Sequence, residues 1–382
     1  ISYGKYNEPK NDEYKGIKVY RVRMPVYFQL SKFSLNINNL FISNLLWRFA
    51  RNLKRIKLLI YFPFYPVTSL ISVLKFLKLA KSLHKKHQFD VLVSSYNPIE
   101  GAITGKYMKK KYNDLKFGLY VLDSFSNTGS ARFITKKTSN RMGWKWEERL
   151  YRVADKIFYM KSHLSHHQLD RYTPYKDKME IVDVPLLNKF EHSIVSDEIK
   201  KSDSVDLVYT GNLNTKTRNP EYMCKIFGYL NEDSYKVNVY SRGDCESLLQ
   251  KFEDKTKGII NRKGFVTHEK SLEIIESADL LISIGNYNSD MIPSKIFEYM
   301  STGKPIIHFF YDDTDSSLPY LTQYPLALLI KHDNNEMKKN ALKISKFIFQ
   351  SGKKRLEYDK IRELFELNSP EYTANKINLM LD

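Results

Sequence analysis

Hydrophobic positions along this chain fall into two alternating registers. Short apolar runs rich in β-branched and aromatic residues recur at Val19–Val22, Val91–Ser94, Phe117–Leu122 and Ala154–Met160, and the stretches between them, such as Trp144–Val153, have helical spacing. Unbroken apolar runs of this length suit strands of a parallel sheet, whose two faces are both covered by helices. After the charged, serine-containing segment Glu191–Ser204 the rhythm restarts. Strands are predicted at Leu207–Thr210, Lys236–Tyr240, Ile259–Arg262, Leu280–Ile284 and Pro305–Phe310, with helices around Glu221–Leu230, Glu246–Phe252, Lys270–Ser277 and Lys295–Thr302. The pattern predicts an α/β chain of two doubly wound domains, spanning 1–186 and 187–366. The last segment, 367–382, contains a helix at Pro370–Leu381 that folds back toward the first domain.

Size and charge add to this picture. At 382 residues and 42% hydrophobic content, the chain supports two cores rather than one. Its formal net charge is +18, and the first hundred residues hold 17 Lys and Arg against five Asp and Glu. Between Lys32 and Phe89 there are eleven basic residues and no acidic one, interleaved with Leu, Ile, Phe, Tyr and Trp47. Basic side chains interleaved with apolar ones suit an anionic membrane surface, reached through residues 32–89. Nucleic acid is the competing partner for such charge, but the bases accompany an apolar helix-like stretch rather than an RNA- or DNA-binding module. Within this region Leu58–Leu74 is apolar but interrupted by Pro63 and Pro66, which leaves three readings open: a membrane span, an interfacial helix or a buried helix. Two cysteines, Cys224 and Cys245, are too few for a disulfide framework and point to a reducing compartment.

The segment Asp290-Met-Ile-Pro-Ser-Lys-Ile-Phe-Glu-Tyr-Met-Ser-Thr-Gly-Lys-Pro305 carries the most chemistry. Pro293 suits a first helical turn, Gly303 a C-terminal cap, and Pro305 forbids continuation, so a short helix follows the strand Leu280–Ile284. Unpaired N–H groups at its start, with Ser294 and Lys295, suit a phosphate. Glu298 shares a face with Ser294 four residues earlier and is placed to accept ribose hydroxyls. The structural alternative is a capping Ser294, a solvated Lys295 and a Glu298 paired with a surface base.

This segment resembles the donor-binding signature of retaining GT-B glycosyltransferases, family 4-like, of the subgroup that builds surface polysaccharides. The signature has two acidic residues separated by seven others, here Asp290 and Glu298; the first is more often Glu. Tyr209-Thr-Gly-Asn-Leu213 followed by Arg218-Asn-Pro220 is similar to the loop after the first strand of that family's C-terminal domain. There the resemblance implies that Gly211 and Asn212 approach the donor phosphates. An Arg usually follows the glycine directly, so Arg218, with Lys216 behind it, takes that place. Lys263-Gly264-Phe265-Val266 before His268-Glu269 resembles the loop that frames the nucleobase through Gly264 and Val266. Glu276-Ser-Ala-Asp279-Leu-Leu-Ile resembles the strand before the family's sugar-binding loop, which makes Gly285-Asn286-Tyr287 the candidates to touch the donor sugar.

The resemblance extends more loosely over residues 1–190, through Phe89-Asp-Val-Leu-Val-Ser-Ser95, Leu122-Asp-Ser124 and Arg152-Val-Ala-Asp155. It implies a GT-B fold whose two Rossmann-like domains face each other across a cleft, with Asp123 as acid/base or acceptor-orienting group; Asp123 as a simple turn cap is the alternative. Ile1–Gly4 resembles the end of the family's second strand, which puts the first strand, its glycine loop and the first helix ahead of Ile1. His163, His166 and His167 have a spacing open to metal ligation, but the family neutralises phosphate without a metal, so a surface helix is expected.

The implied activity is transfer, with retention, from a UDP- or GDP-linked sugar to a lipid-linked glycan acceptor in bacterial capsule or exopolysaccharide assembly. Lys295 and Arg218 would stabilise the leaving diphosphate, with no metal, cofactor or nucleic acid involved. The protein would sit in the cytoplasm, peripheral on the inner face of the cell membrane. Two competing readings are a sugar-nucleotide epimerase and a non-catalytic GT-B-like subunit partnering another transferase, the latter prompted by Asp290 and Asn212.

Overall fold

The computed structural model describes residues 1–4, 8–37, 39–127, 135–190, 204–230, 234–287 and 292–381. The chain divides into two compact units, Ile1–Asp183 with Ala374–Asp382, and Val184–Thr373.

Unit 1 contains β1 (Ser2–Gly4), β2 (Asn11–Tyr14), β3 (Ile17–Arg23), α1 (Val26–Ser34), α2 (Leu40–Tyr61), α3 (Leu70–His87), β4 (Val91–Ser95), α4 (Ile99–Lys111), β5 (Lys116–Val121), α5 (Lys136–Tyr151), β6 (Lys156–Met160), the single turn α6 (Leu164–His167) and β7 (Met179–Val182). Its strands form two sheets, ordered β1-β3-β2 and β4-β5-β6-β7. The second is parallel throughout. In the first, β1 runs parallel to β3 whereas β2 is antiparallel to it. The polar strand β2 gives no apolar signal. It forms because Lys15 and Gly16 both hold positive φ, 49° and 79°, the backbone that a two-residue hairpin turn requires.

The expected strand from Ala154 starts later, at Lys156, because Ala154 N–H still donates to Leu150 C=O and ends α5. Asp155 then accepts from Phe117 N–H at 2.6 Å and pins β5 alongside. The apolar stretch 58–74 is broken in two: α2 ends at Tyr61, Pro63 lies in a 3-10 turn, and the Ser69 hydroxyl caps α3 by accepting from Ser72 N–H. Among the described residues no helix is long and apolar enough to cross a membrane.

Unit 2 contains β8 (Val205–Leu213), α7 (Glu221–Leu230), β9 (Tyr235–Gly243), α8 (Glu246–Thr256), β10 (Ile260–Arg262), α9 (His268–Ser277), β11 (Leu280–Ile284), α10 (Lys295–Ser301), β12 (Ile306–Phe310), α11 (Leu318–Leu321), β13 (Ala327–Lys331), α12 (Met337–Ser351), α13 (Tyr358–Leu364) and α14 (Pro370–Asn378), whose last residues belong to unit 1. One parallel sheet runs β10-β9-β8-β11-β12-β13. Every residue of β11 and β12 is buried. Leu280, Ile282 and Ile284 pack on one face with Leu207, Phe227 and Val237, while Leu281 packs on the other with Val208, Ile296 and Phe297. Strand order reverses between β8 and β11, which opens a crevice at their carboxyl ends. Beyond the predicted elements lie β7, β13 and α12; the β13 run Ala327-Leu-Leu-Ile-Lys331 is as apolar as those that were read. Past Ala374 the chain lies on unit 1, where Lys376 Nζ meets Glu180 Oε1 of β7 at 2.5 Å.

Gly243 holds φ +138°, and a Cβ there would lie 1.7 Å from Leu213 C=O, whereas at Gly258, with φ +97°, nothing lies within 4 Å. Gly243→Ala is expected to destabilise by on the order of 3 kcal/mol and Gly258→Ala by about 1 kcal/mol, read from urea denaturation. Equal effects would contradict the close approach.

Candidate functional site

A cavity of about 450 Å³ opens at the carboxyl ends of β8, β9 and β11. Gly211 and Asn212 reach it from the end of β8, Tyr240 and Arg242 from the end of β9, and Asn286 from the loop after β11. Phe265–His268 and Ser271 close one side, and Ile292–Lys295 lead into α10 on another. Gly211 adopts φ +153°, which L side chains rarely hold, and so turns the backbone toward the cavity.

The lining is polarised. Arg218, Arg242 and Lys295 reach it, and among the described lining residues there is no Asp or Glu. Arg218 donates to Asn286 Oδ1 from both Nε at 3.1 Å and Nη2 at 2.7 Å. Tyr287 N–H donates to Thr217 C=O at 2.7 Å, so the loops after β8 and β11 are joined at two points. Arg242 Nε donates to Asn212 Oδ1 at 2.8 Å, and its guanidinium lies 5.0 Å from the Phe265 ring centroid. Phe265 itself remains 63% exposed at the cavity rim.

Of the residues singled out in the sequence, Gly211, Asn212, Arg218, Val266, Asn286, Ser294 and Lys295 line this one cavity. Gly264 does not; at φ +71° it turns the chain so that Phe265 and Val266 do. Helix α10 starts at Lys295, with Ser294 as its N-cap residue and Pro293 just outside. The Ser294 hydroxyl makes no capping hydrogen bond, which removes the purely structural role considered for it. Glu298 also stands off the lining and pairs with Lys295 Nζ at 3.1 Å, while the same ammonium donates to Ser271 Oγ at 2.7 Å. Asp290 lies outside the described residues. Arg242 has no recognisable local signal: the parallel register that sets it beside Asn212 brings it in.

In unit 1, Asp123 stands just past the end of β5, half-exposed, with His163 Nε2 3.7 Å from its Oδ1. The next residues belong to a buried polar network. Glu147, wholly buried, accepts from the hydroxyls of Ser124, Ser126 and Tyr172 and from Ser126 N–H at 3.1 Å. His166 Nε2 lies within 3.0 Å of the same three hydroxyls. Arg171 donates to Ser126 Oγ at 2.9 Å and stacks over Trp144.

The expectation that His163, His166 and His167 occupy a surface helix is therefore corrected. His167 is 3% exposed, enclosed by Tyr151, Tyr159 and Tyr172. A carbonyl can only accept, so His167 Nδ1–H donates to His163 C=O at 2.9 Å and Nε2 accepts from Tyr151 O–H. Among the described residues no group of three or more His, Cys, Asp or Glu is placed to hold a metal ion.

Helix α2 presents a different surface. Ser43, Leu46, Ala50, Leu53 and Lys57 face inward, whereas Ile42, Leu45, Phe49, Ile56 and Ile60 form an outward apolar row, each 46% to 65% exposed. Arg48, Arg51 and Arg55 run beside that row, also exposed. A helix with one packed face needs only one apolar stripe, and this second one has no partner among the described residues of the unit.

No protein-family model matches this sequence, and no curated protein matches it. Solved structures do match. Sucrose-phosphate synthase from Thermosynechococcus elongatus is 12% identical at a TM-score of 0.57, over 99% of this chain and 86% of that one. The GtfA/B complex matches at 11% identity and a TM-score of 0.51, over 80% of this chain and 60% of its own. The fold is accordingly the GT-B type, with two Rossmann-like domains.

Burial lowers the His167 pKa from 6.5 to about 4. Its folded pKa lies below the unfolded value, so the unfolded chain takes up the proton first and stability falls as pH drops from about 6.5 to about 4. This group is expected to remove at most roughly 3.5 kcal/mol over that window. Thermal unfolding of His167→Gln should show a shallower decline than the parent, and identical slopes would refute the assignment.

Proposed function

We propose that the chain is a glycosyltransferase that moves a sugar from a nucleotide-diphosphate sugar, bound in unit 2, to an acceptor hydroxyl. One observation carries the reading: the unit 2 cavity gathers Arg218, Arg242 and Lys295 at the carboxyl ends of parallel strands, with no lining carboxylate among the described residues. A diphosphate suits such a pocket. Helix α10 has only seven residues. Its dipole is correspondingly modest, and in this reading the two cationic side chains Arg218 and Lys295 hold most of the phosphate charge.

Gly211 and Ser294 lie close to the phosphates, Asn286 meets the sugar, and Val266 and Phe265 border the base, uracil or guanine. Glu298 acts partly through Lys295, whose ammonium it positions, and reaches for the ribose together with Asp290. In transfer the bond from the anomeric carbon to the diphosphate oxygen breaks, and the diphosphate leaves with the electron pair. The acceptor oxygen bonds to the same face of the oxocarbenium-like centre, and its proton passes to the departing phosphate oxygen, which gives a nucleoside diphosphate and a glycoside with retained configuration. Preorganised cations then supply the main rate advantage. Asp123 is the acid/base or acceptor-orienting candidate on unit 1. The charge is met by side chains, so the reading includes no metal and no cofactor.

The acceptor in this reading is a lipid-linked glycan in surface-polysaccharide assembly, with the protein peripheral on the inner face of the cell membrane. Its support is the outward apolar row of α2 beside its arginines. An in-plane helix buries such a row at the acyl boundary and leaves the bases among anionic headgroups.

UDP or GDP should raise Tm by several degrees, and Arg218→Ala should abolish the shift while Lys225→Ala keeps it. No shift with either nucleotide in the parent would remove the donor reading. In flotation with vesicles containing anionic lipid, the parent should bind and Phe49→Glu/Ile56→Glu should lose at least tenfold, whereas neutral vesicles should capture neither. Equal binding by parent and variant would rule out docking through α2.

A further inference from the structure

The loops after β8 and β11 border a second cavity in unit 2, of about 380 Å³, which shares no lining residue with the one at the ends of β8, β9 and β11. Four rings from four elements line it: Tyr222 of α7, Tyr287 after β11, Tyr311 after β12 and His332 after β13. They touch in series. Tyr287 and Tyr311 have ring centroids 5.3 Å apart and cross at 67°, Tyr311 and His332 are also 5.3 Å apart, and His332 stacks on Tyr222 at 4.2 Å.

Packing explains half of this row. Tyr222 is 3% exposed, and its O–H donates to Asp333 C=O at 2.8 Å. Tyr311 O–H donates to Asn219 C=O at 3.0 Å, and its oxygen accepts from Asn219 N–H at 3.0 Å, which fastens the loop after β12 to the loop after β8. Tyr287 and His332 are placed differently. Tyr287 is 46% exposed, and among the described residues neither its hydroxyl nor the His332 ring makes a hydrogen bond. Two firmly held rings, Tyr222 and Tyr311, thus back two whose polar tips stay open to the cavity.

Charge argues against a second phosphate site. The cavity at the ends of β8, β9 and β11 gathers three cationic side chains with no lining carboxylate among the described residues, whereas here one of two lining lysines, Lys225, is paired with Glu221 at 2.8 Å. Burial, with Lys225 nearby, lowers the His332 pKa from 6.5, so the imidazole is uncharged at neutral pH. Aromatic faces beside neutral polar tips match a pyranose, whose C–H groups pack on the electron-rich ring face while its hydroxyls take hydrogen bonds at the edge. We propose that this cavity is an acceptor subsite that holds an uncharged pyranose unit of the glycan acceptor, packed on Tyr287 and Tyr311 and hydrogen-bonded by His332 and Asn334. The acceptor role rests on the transferase reading given above. Arg218 donates to Asn286 and Tyr287 N–H to Thr217 C=O, so one pair of joined loops borders both cavities. A sugar in the second is thereby held beside the donor without entering the phosphate site.

Saturation-transfer NMR with the methyl glycosides of glucose, galactose, N-acetylglucosamine and N-acetylgalactosamine tests the subsite directly, with UDP-glucose, UDP-N-acetylglucosamine and GDP-mannose as competitors. At least one glycoside should give a signal that the nucleotide sugars leave in place, and His332→Ala and Asn334→Trp should each reduce it at least about tenfold. Far-UV circular dichroism checks that the variants are folded, and Asn334→Trp, at an exposed loop position, decides the matter if His332→Ala unfolds. No signal from any glycoside in the parent, displacement by a nucleotide sugar, or an undiminished signal in Asn334→Trp would overturn the proposal. A rise in Tm with UDP or GDP but no glycoside signal would remove the subsite alone. Glycoside binding without any nucleotide-induced rise would remove the transferase reading, and the acceptor role with it.

Discussion

A parallel strand covered on both faces has little room for chemistry along its length. In unit 2, β11 and β12 are buried throughout, and the polar side chains they hold are matched internally, as where Ser283 Oγ meets His308 Nδ1 at 3.0 Å. Reactive groups are therefore displaced to the strand ends, and only the end where successive connections diverge leaves space for a ligand. The divergence falls between β8 and β11, and the cavity lies there. The same constraint explains why β4, unpaired along one edge among the described residues, stands out in unit 1.

Within that cavity, geometry is held by polar cross-links between loops rather than by the loops' own packing. Arg218 spends two donors on Asn286, and Tyr287 N–H closes a second link to Thr217. The two connections are therefore tied to each other at the cavity wall, where Arg218 also meets Tyr209. Lys295 is placed similarly by Glu298 and Ser271. Unit 1 uses a more buried version of this device: Glu147 gathers three hydroxyls beneath the loop that carries Asp123. Such an enclosed carboxylate is tolerable only with its oxygens fully engaged.

Much of the framework was legible in the chain itself. Apolar runs located most strands because buried parallel strands admit no polar alternation, and Gly303 ended α10 as read, at φ +72° after the Thr302 cap. The donor-loop residues Gly211 and Asn212 and the pair Ser294 and Lys295 were also visible, since each sits where a strand stops or a helix starts. Such positions announce themselves by glycine, proline and small polar residues.

Burial and register were not visible. His163, His166 and His167 follow a helical spacing that says nothing about the ring of tyrosines around His167, because those tyrosines come from the three different elements that flank it, the end of α5, β6 and the turn after α6. Arg242 joined the site only because β8 and β9 align Asn212 with it across the ladder, an alignment fixed by how two strands pair rather than by either strand alone. The outward row of α2 likewise follows from which side of that helix α1 covers. Periodicity and punctuation, which act over a few residues, determined the elements and where chemistry could gather; the pairing of distant segments, which sums many weak contacts, decided which side chains meet there.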